Sequence, residues 1–454
     1  MRRRLAVVLF ALGCASAGAA AAHDVEARPA SVRDGFRLAV AGDMIGPYAA
    51  FLDRDDPALM AALRPLEEAD VAFANVEGGI FDLATFAGYP AAENGGGTPL
   101  GDAAVAFDLK RIGLTLLSRA NNHATDWGAE GLMSTSRSIQ AAGLAQAGAG
   151  PDLTAARSPA YVDTPGGRVA LVATASSFTA MSPAADGRGN RRARPGISPL
   201  NVRALLRVTV EEMQGLAAIA ARRDGRPAPA EPPREISFGR QGFRLAEGRG
   251  LTYDVDAGDR EAVLQSVRCA DAEADLVVFS IHAHQGEGFT PDDTASLHED
   301  EDAHGGQEGP GDFLRPLFHD AIDAGADIVV RHGPHALEGI EIYRGKPIFY
   351  GMASLFFDVG DADRRFGRPG REWRFPPEWD ESAIAVTAFD HGRVSEIRIY
   401  PMVMRYDAPD RMGLPRPANA QEATRILARV RRQSLPYGVE VMIENDVGVV
   451  RPAT

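Results

Sequence analysis

Leu114-Thr115-Leu116-Leu117-Ser118-Arg119-Ala120-Asn121-Asn122-His123-Ala124-Thr125-Asp126-Trp127-Gly128 is a short β-type run that turns polar just before a helical pattern. Polar side chains at such a corner face the crevice at the carboxyl end of the strands, where open α/β sheets bind ligands. Asn122 can offer a carbonyl oxygen to a metal, and His123 can give or take a proton near neutral pH. Asp126, three residues on, can orient His123. The same letters also suit a helix cap and a turn, so the neighbouring segments must decide the reading.

The pattern recurs along the chain. Phe36 to Ala41 reads as a strand ending in Gly42-Asp43-Met44-Ile45-Gly46, and Val71 to Ala74 as a buried strand ending in Asn75-Val76-Glu77-Gly78-Gly79. Asp275 to Ile281 ends at His282-Ala283-His284, and Ala326 to Val330 at Arg331-His332-Gly333-Pro334-His335. Helical patterns separate these runs at Ala58–Glu68, Ala103–Ile112, Gly131–Ala142, Arg260–Ala272 and Phe313–Ala324, the alternation that predicts α/β architecture with parallel strands. A single His after a strand is usually a hydrogen-bonded structural residue, and a single Asp is usually a helix cap. Together they differ: Asp43, Glu77, Asn122, His282, His332 and His335 all follow short apolar runs, and one parallel sheet would bring them to one edge. Carboxylate, amide oxygen and imidazole suit Mn, Fe or Zn better than Ca or Mg. Two such ions about 3.5–4 Å apart form a common hydrolytic centre.

After His335 the pattern becomes antiparallel. Arg344-Gly345-Lys346 and Asp390-His391-Gly392-Arg393 each sit between alternating runs and predict hairpins. Residues 181–256 are rich in Arg, Pro and Gly and predict an inserted segment over the site edge, with one helix at about Asn201 to Arg222. A helix from Ala420 to Gln433 and a β-like tail make residues 403–454 a C-terminal extension to a domain at 23–402.

The chain has 454 residues, 45% hydrophobic and 24% charged, with a net charge of -14. That balance argues against a nucleic-acid partner, because phosphate backbones need a basic face. Arg2-Arg3-Arg4, the apolar Leu5 to Gly13 and the small residues to Ala22 predict a signal peptide spanning 1–22 and an exported, periplasmic or extracellular protein. No transmembrane span is predicted, since the apolar run is too short. A membrane anchor would require lipidation at Cys14, and Ala11-Leu12-Gly13 matches that signal poorly. With Cys14 removed, Cys269 has no intramolecular partner and is expected to be a buried thiol. Oligomeric state has no sequence signal here.

Gly42-Asp43-Met44, Asn75-Val76-Glu77-Gly78, Asn121-Asn122-His123, Arg194-Pro195-Gly196-Ile197-Ser198-Pro199-Leu200, His332-Gly333-Pro334-His335 and Gly345-Lys346-Pro347-Ile348-Phe349-Tyr350-Gly351 occur in a familiar order. The chain resembles the poly-γ-glutamate capsule biosynthesis (CapA-like) family, a branch of the calcineurin-like metallophosphoesterases, over roughly residues 36–402. The resemblance implies a four-layer α-β-β-α metallophosphatase-like sandwich. It assigns Asp43 and His335 to one metal, Asn122, His282 and His332 to another, and Glu77 to the bridge, with His123 near the leaving group and Asp126 behind it. The cofactor is then one or two divalent ions, Mn, Fe or Zn, and the substrate an anionic polymer or a phosphoester. Two departures stand out. Ile45 occupies the position where the wider superfamily has a metal-binding His, so the first metal site loses a nitrogen. His282-Ala283-His284-Gln285-Gly286 replaces the family's His-Trp-Gly; His284 falls on the side of His282 and reads as a ligand, a supporting partner or a substrate contact.

Arg188, Arg191, Arg192 and Arg194 form a basic cluster that could hold carboxylates or phosphates, with Arg192 and Arg194 the substrate candidates, or could be a solvated loop. The run His298-Glu299-Asp300-Glu301-Asp302-Ala303-His304 reads as a solvated acidic face more readily than as a metal site. The functional expectation is an exported metal-dependent hydrolase-like protein of capsule or poly-γ-glutamate biosynthesis. The alternatives are a general periplasmic metallophosphoesterase and a non-catalytic capsule-assembly or binding factor.

Overall fold

The computed structural model describes residues 29–47, 51–52, 56–91, 99–239, 241–248, 250–286, 309–358, 377–406 and 413–452. The expected signal peptide and the His298–His304 run lie outside the described residues.

Two sheets carry the site. The first, with ten strands, runs in the order Met442–Glu444, Val447–Val450, Arg393–Met404, Glu381–Asp390, Phe36–Ile45, Val71–Val76, Leu116–Ser118, Ala145–Ala147, with Pro415–Pro417 paired beside Arg393–Met404. Ser354–Phe357 joins it beside the far end of Phe36–Ile45, where the register shifts between Asp43 and Met44. The second, with six strands, runs Ile340–Tyr343, Lys346–Phe349, Ile328–His332, Leu276–His282, Gly167–Ala175, Ala160–Thr164. The candidate ligands thus come from two sheets, as the four-layer sandwich implies, and not from the single parallel sheet that the strand pattern alone suggests. Buried strands of either sheet read alike as apolar runs, so the pattern shows that strands exist without showing which ones pair.

Alternation builds the layers. In Phe36–Ile45, Leu38 and Val40 face the interior shared with Val169, Leu171, Val278, Ile328 and Val330 of the second sheet. Ala39 and Ala41 face the opposite way, onto Leu59, Leu63 and Leu66 of helix Pro57–Glu67 and Val105 and Leu109 of helix Ala104–Arg111. On the far side, Ala170, Val172, Val277, Phe279 and Val329 pack against Val263 and Val267 of helix Ala257–Glu273 and Leu317 and Phe318 of helix Leu314–Asp323. Period-2 strands buried on both faces between period-3.6 helices give the expected α-β-β-α order. Deleting one such side chain, as in Phe73→Ala, would cost about 3–5 kcal/mol.

The last helix, Ala420–Ser434, drives Ile426, Leu427 and Val430 into the shared core. Its Ser434 hydroxyl accepts from Ile340 N at 3.0 Å. Within the insertion, the helix expected from Asn201 is a strand, Val202–Val208, followed by helix Val210–Arg223. Thr209 and Glu212 form a capping box that fixes the true start. Val202, Leu205 and Leu206 fit a helical period by spacing alone, which hides the boundary. The strand belongs to a four-stranded sheet with Glu235–Phe238, Gln241–Leu245 and Gly250–Val255. Cys269 is half-buried on helix Ala257–Glu273 rather than enclosed.

Candidate metal centre

The site forms where the carboxyl ends of both sheets meet. Gly42 lets strand Ser354–Phe357 come close: a Cβ there would lie 2.0 Å from the Ala353 carbonyl oxygen. Asp43 N donates to that carbonyl at 3.0 Å, and the bulge turns the Asp43 carboxylate to the seam. Glu77 follows the end of Val71–Val76, its N–H on Met44 O at 3.1 Å. His282 and His332 are direct partners in the parallel ladder of the second sheet. His335 takes a positive φ of 53°, an uncommon conformation for a side-chain-bearing residue.

The distances bring these groups into one cluster. Asp43 Oδ1 is 3.7 Å from His282 Nδ1 and 3.7 Å from His332 Nδ1, and Asp43 Oδ2 is 3.4 Å from His335 Nδ1. Glu77 Oε1 is 3.5 Å from His282 Nε2 and 4.0 Å from His123 Nε2. Potential donor atoms of Asp43, Glu77 and His335 all lie within 4.8 Å of one another, as do those of Glu77, His282 and His284. Asn122 is buried in the turn that carries His123. His123 is the partly open member, its side chain 13% exposed, so the pocket reaches solvent at that ring. Its Nδ1 pairs with Asp126 Oδ2 at 2.6 Å, as the spacing of three suggests.

Electrostatics separate the two carboxylates. Burial pushes Asp43 up, but interaction with His282, His335 and His332 outweighs it and holds the group well below the ordinary carboxylate value. Burial, then the charges of Asp43 and Asp126, hold Glu77 well above its ordinary value. Burial lowers His332 to about 4 and keeps it neutral.

Sequence reasoning misses two asparagines. Asn75 Nδ2 donates to Asp43 Oδ1 at 2.7 Å and lies 3.3 Å from His282 Nδ1. Asn121 Nδ2 donates to Asn75 Oδ1 at 3.2 Å and to Val76 O at 2.7 Å. The signal that could find the first is an amide inside an otherwise apolar buried strand, Val71-Ala72-Phe73-Ala74-Asn75-Val76. Ile45 packs with Phe357, against Trp379 and Tyr406, so hydrocarbon fills this position. Arg188, Arg191, Arg192 and Arg194 lie exposed on a small hairpin bridged at Ala185–Arg194 and Arg188–Arg191. The Arg194 guanidinium rests on Pro183 O at 2.7 and 3.1 Å. Thr125 Oγ1 meets Ser182 Oγ at 2.7 Å, which ties the hairpin base to the His123 turn.

A four-layer sandwich thus gathers carboxylates and imidazoles where its two sheets meet. The chain belongs to the bacterial capsule synthesis protein family PGA_cap, whose profile it matches over residues 37–297 and 303–359. It is 34% identical to the uncharacterized protein y4uA of Sinorhizobium fredii, over 93% of this chain and 94% of that one. It is 25% identical to the capsule biosynthesis protein CapA of Bacillus anthracis, over 56% of this chain and 42% of that one. A crystal structure of a phosphatase from Mycoplasma pneumoniae aligns with a TM-score of 0.36 at 9% identity, covering 82% of this chain and 94% of that one.

Proposed function

We propose that the chain is an exported, metal-dependent hydrolase of capsule or poly-γ-glutamate metabolism, cleaving a phosphoester or an amide in an anionic polymer. The observation that carries this is a set of buried polar atoms without partners. Both Glu77 carboxylate oxygens and both His332 ring nitrogens are buried and make no hydrogen bond. Buried carboxylates are expensive unless paired or bound to metal, and buried polar groups otherwise find partners. A divalent transition ion fits this donor set.

Asp43, Glu77 and His335 would hold one ion, and Glu77, Asn122, His282 and His332 a second. When bound, the metal lowers the pKa of water and polarises the scissile group. The protein's own part is positional. Asn75 fixes the Asp43 carboxylate, and Asn121 fixes Asn75. Asp126 accepts a hydrogen bond from His123 Nδ1–H and so supports the imidazolium, whose Nε2–H gives its proton to the leaving oxygen or nitrogen. Depressed imidazole basicity keeps His332 ready to donate a lone pair at neutral pH. The exposed Arg192 and Arg194, on a hairpin tied to the His123 turn, would meet the anionic groups of the polymer. Among the described residues no helix is long and apolar enough to cross a membrane; export rests on the charged and apolar segment at Arg2 to Ala22.

The test is a panel of nitrophenyl phosphate mono- and diesters and γ-glutamyl amides, with Mn, Fe or Zn restored to chelated protein. Metal-dependent turnover that disappears in Asp43→Asn and His332→Ala supports the reading. The packing of Ile45 with hydrocarbon favours one alternative, an assembly factor that keeps the fold and binds metal without turnover; a metal-loaded protein inert on the whole panel would select it.

A further inference from the structure

We infer that His284 is a metal ligand, forming with Glu77 and His282 a nitrogen-rich seat that the family's His-Trp-Gly sequence does not supply. The inference rests on the metal centre proposed above and adds a donor to it.

The geometry is specific. His284 Nε2 is 2.9 Å from His282 Nε2, and the ring centroids are 4.9 Å apart. Two neutral imidazoles can share one proton at that distance. Such a hydrogen bond leaves Glu77 unexplained, since its carboxylate stands 3.5 Å from the same His282 Nε2 and makes no hydrogen bond. A cation among the three donors satisfies all of them at once. It requires the His282 proton to sit on Nδ1, toward Asp43 Oδ1 at 3.7 Å, in the tautomer in which the nearer Asn75 Nδ2 at 3.3 Å makes no hydrogen bond to that nitrogen.

The surrounding chain aims the ring. His284 N donates to Ser177 Oγ at 2.8 Å. The next side chain, Gln285, is held by Ser176 through Oγ at 2.8 Å and through its carbonyl at 3.0 Å. Arg331, fully buried, donates from Nε to Ala283 O and from Nη2 to Gln285 O, each at 2.9 Å. Gly333 makes room: at its φ of +117° a Cβ would lie 2.6 Å from His284 Cδ2. A side chain clamped on both flanks and given space by a glycine is held in one orientation, which is what a ligand needs. Two imidazoles and one carboxylate suit Zn, Fe or Co better than Mg or Ca.

The experiment is a Co(II) and Zn(II) titration of the full chain, wild type and His284→Ala, followed by visible d–d absorption and calorimetry. In wild type, Co(II) should give a spectrum of mixed nitrogen and oxygen coordination. In His284→Ala the tightest Zn(II) affinity should fall by about 100-fold or more, since even supporting partners cost about 10–100-fold, and the Co(II) spectrum should shift. Imidazole ¹⁵N NMR of wild type should show the His284 Nε2 resonance moving on Zn(II) addition, a readout that needs no variant to fold. A wild type that binds neither ion would overturn the proposed centre itself. Metal binding in wild type with an unmoved His284 resonance, or with equal affinity and spectrum in His284→Ala, would overturn this inference and leave the centre standing.

Discussion

Glu77 Oε1 stands 3.5 Å from His282 Nε2 across the seam between the two sheets, and both side chains are fully buried. Neither Glu77 oxygen makes a hydrogen bond. A charge placed there opposes folding until a cation joins it, so the metal-free protein should hold Glu77 protonated more readily than an unfolded chain does.

That gives a pH prediction. Because the folded Glu77 carboxyl titrates above its unfolded value of about 4.3, its contribution to stability is full below that pH and is lost as pH rises through the raised folded value. Glu77→Gln cannot titrate. In chelator, Glu77→Gln should gain stability over wild type between about pH 5 and 8, reaching about 1–3 kcal/mol, while losing the stabilisation by added Zn or Mn. Urea unfolding at both pH values measures it; parallel pH slopes would contradict it.

The His123–Asp126 pair predicts a separation of chemistry from binding. Asp126→Asn and His123→Ala should lower turnover by about 10²–10⁴-fold with metal content unchanged, because His123 Nε2 is 4.0 Å from Glu77 and at the solvent opening. Steady-state rates with metal analysis of the same samples decide this. Loss of metal in either variant would make the pair structural.

Arg331 predicts a large stability effect from a residue that itself holds no metal. Its buried guanidinium serves Ala283 O, Gln285 O, Tyr350 O and the Glu338 carboxylate at 2.8 Å. Arg331→Met should cost about 3–5 kcal/mol in chemical unfolding, since Glu338 is left buried without its partner. The double variant Arg331→Met/Glu338→Gln should recover part of that loss; no recovery would mean that the carbonyl contacts dominate.

At the other end of the chain, Glu422 is held at about 2 by the Arg416 guanidinium and by the Asn419 backbone N–H. Its folded value is depressed, so its contribution is full above the unfolded value of about 4.3 and falls as pH drops toward about 2. Wild type and Glu422→Gln should therefore differ at pH 7, begin to converge below pH ~4 and meet only as pH reaches about 2. Removing the cap itself, Asn419→Ala, should cost about 1 kcal/mol.

Much of this arrangement is legible in the amino-acid sequence. Strand ends at Asp43, Glu77, Asn122, His282 and His332 are legible as candidates because side chains able to bind a metal directly follow apolar runs. Hairpins at Arg344-Gly345 and His391-Gly392 are visible because both turns take positive φ, which glycine makes easy. The division into two sheets is not visible, because strand pairing is set by packing between distant segments. Asn75 escapes notice since its role depends on Asp43 and His282 lying beside it, and periodicity says nothing about that. Val202–Val208 reads as helix because its apolar spacing satisfies both periods until Thr209 and Glu212 are recognised as a cap.

The most direct measurement is transition-metal content of the purified full chain, by elemental analysis and by calorimetric titration after chelation, beside Asp43→Asn and His332→Ala. The account predicts about one or two Mn, Fe or Zn ions per chain in wild type and a clear loss of affinity in each variant. A folded wild type that retains and rebinds no transition metal, or variants that bind as it does, would contradict it.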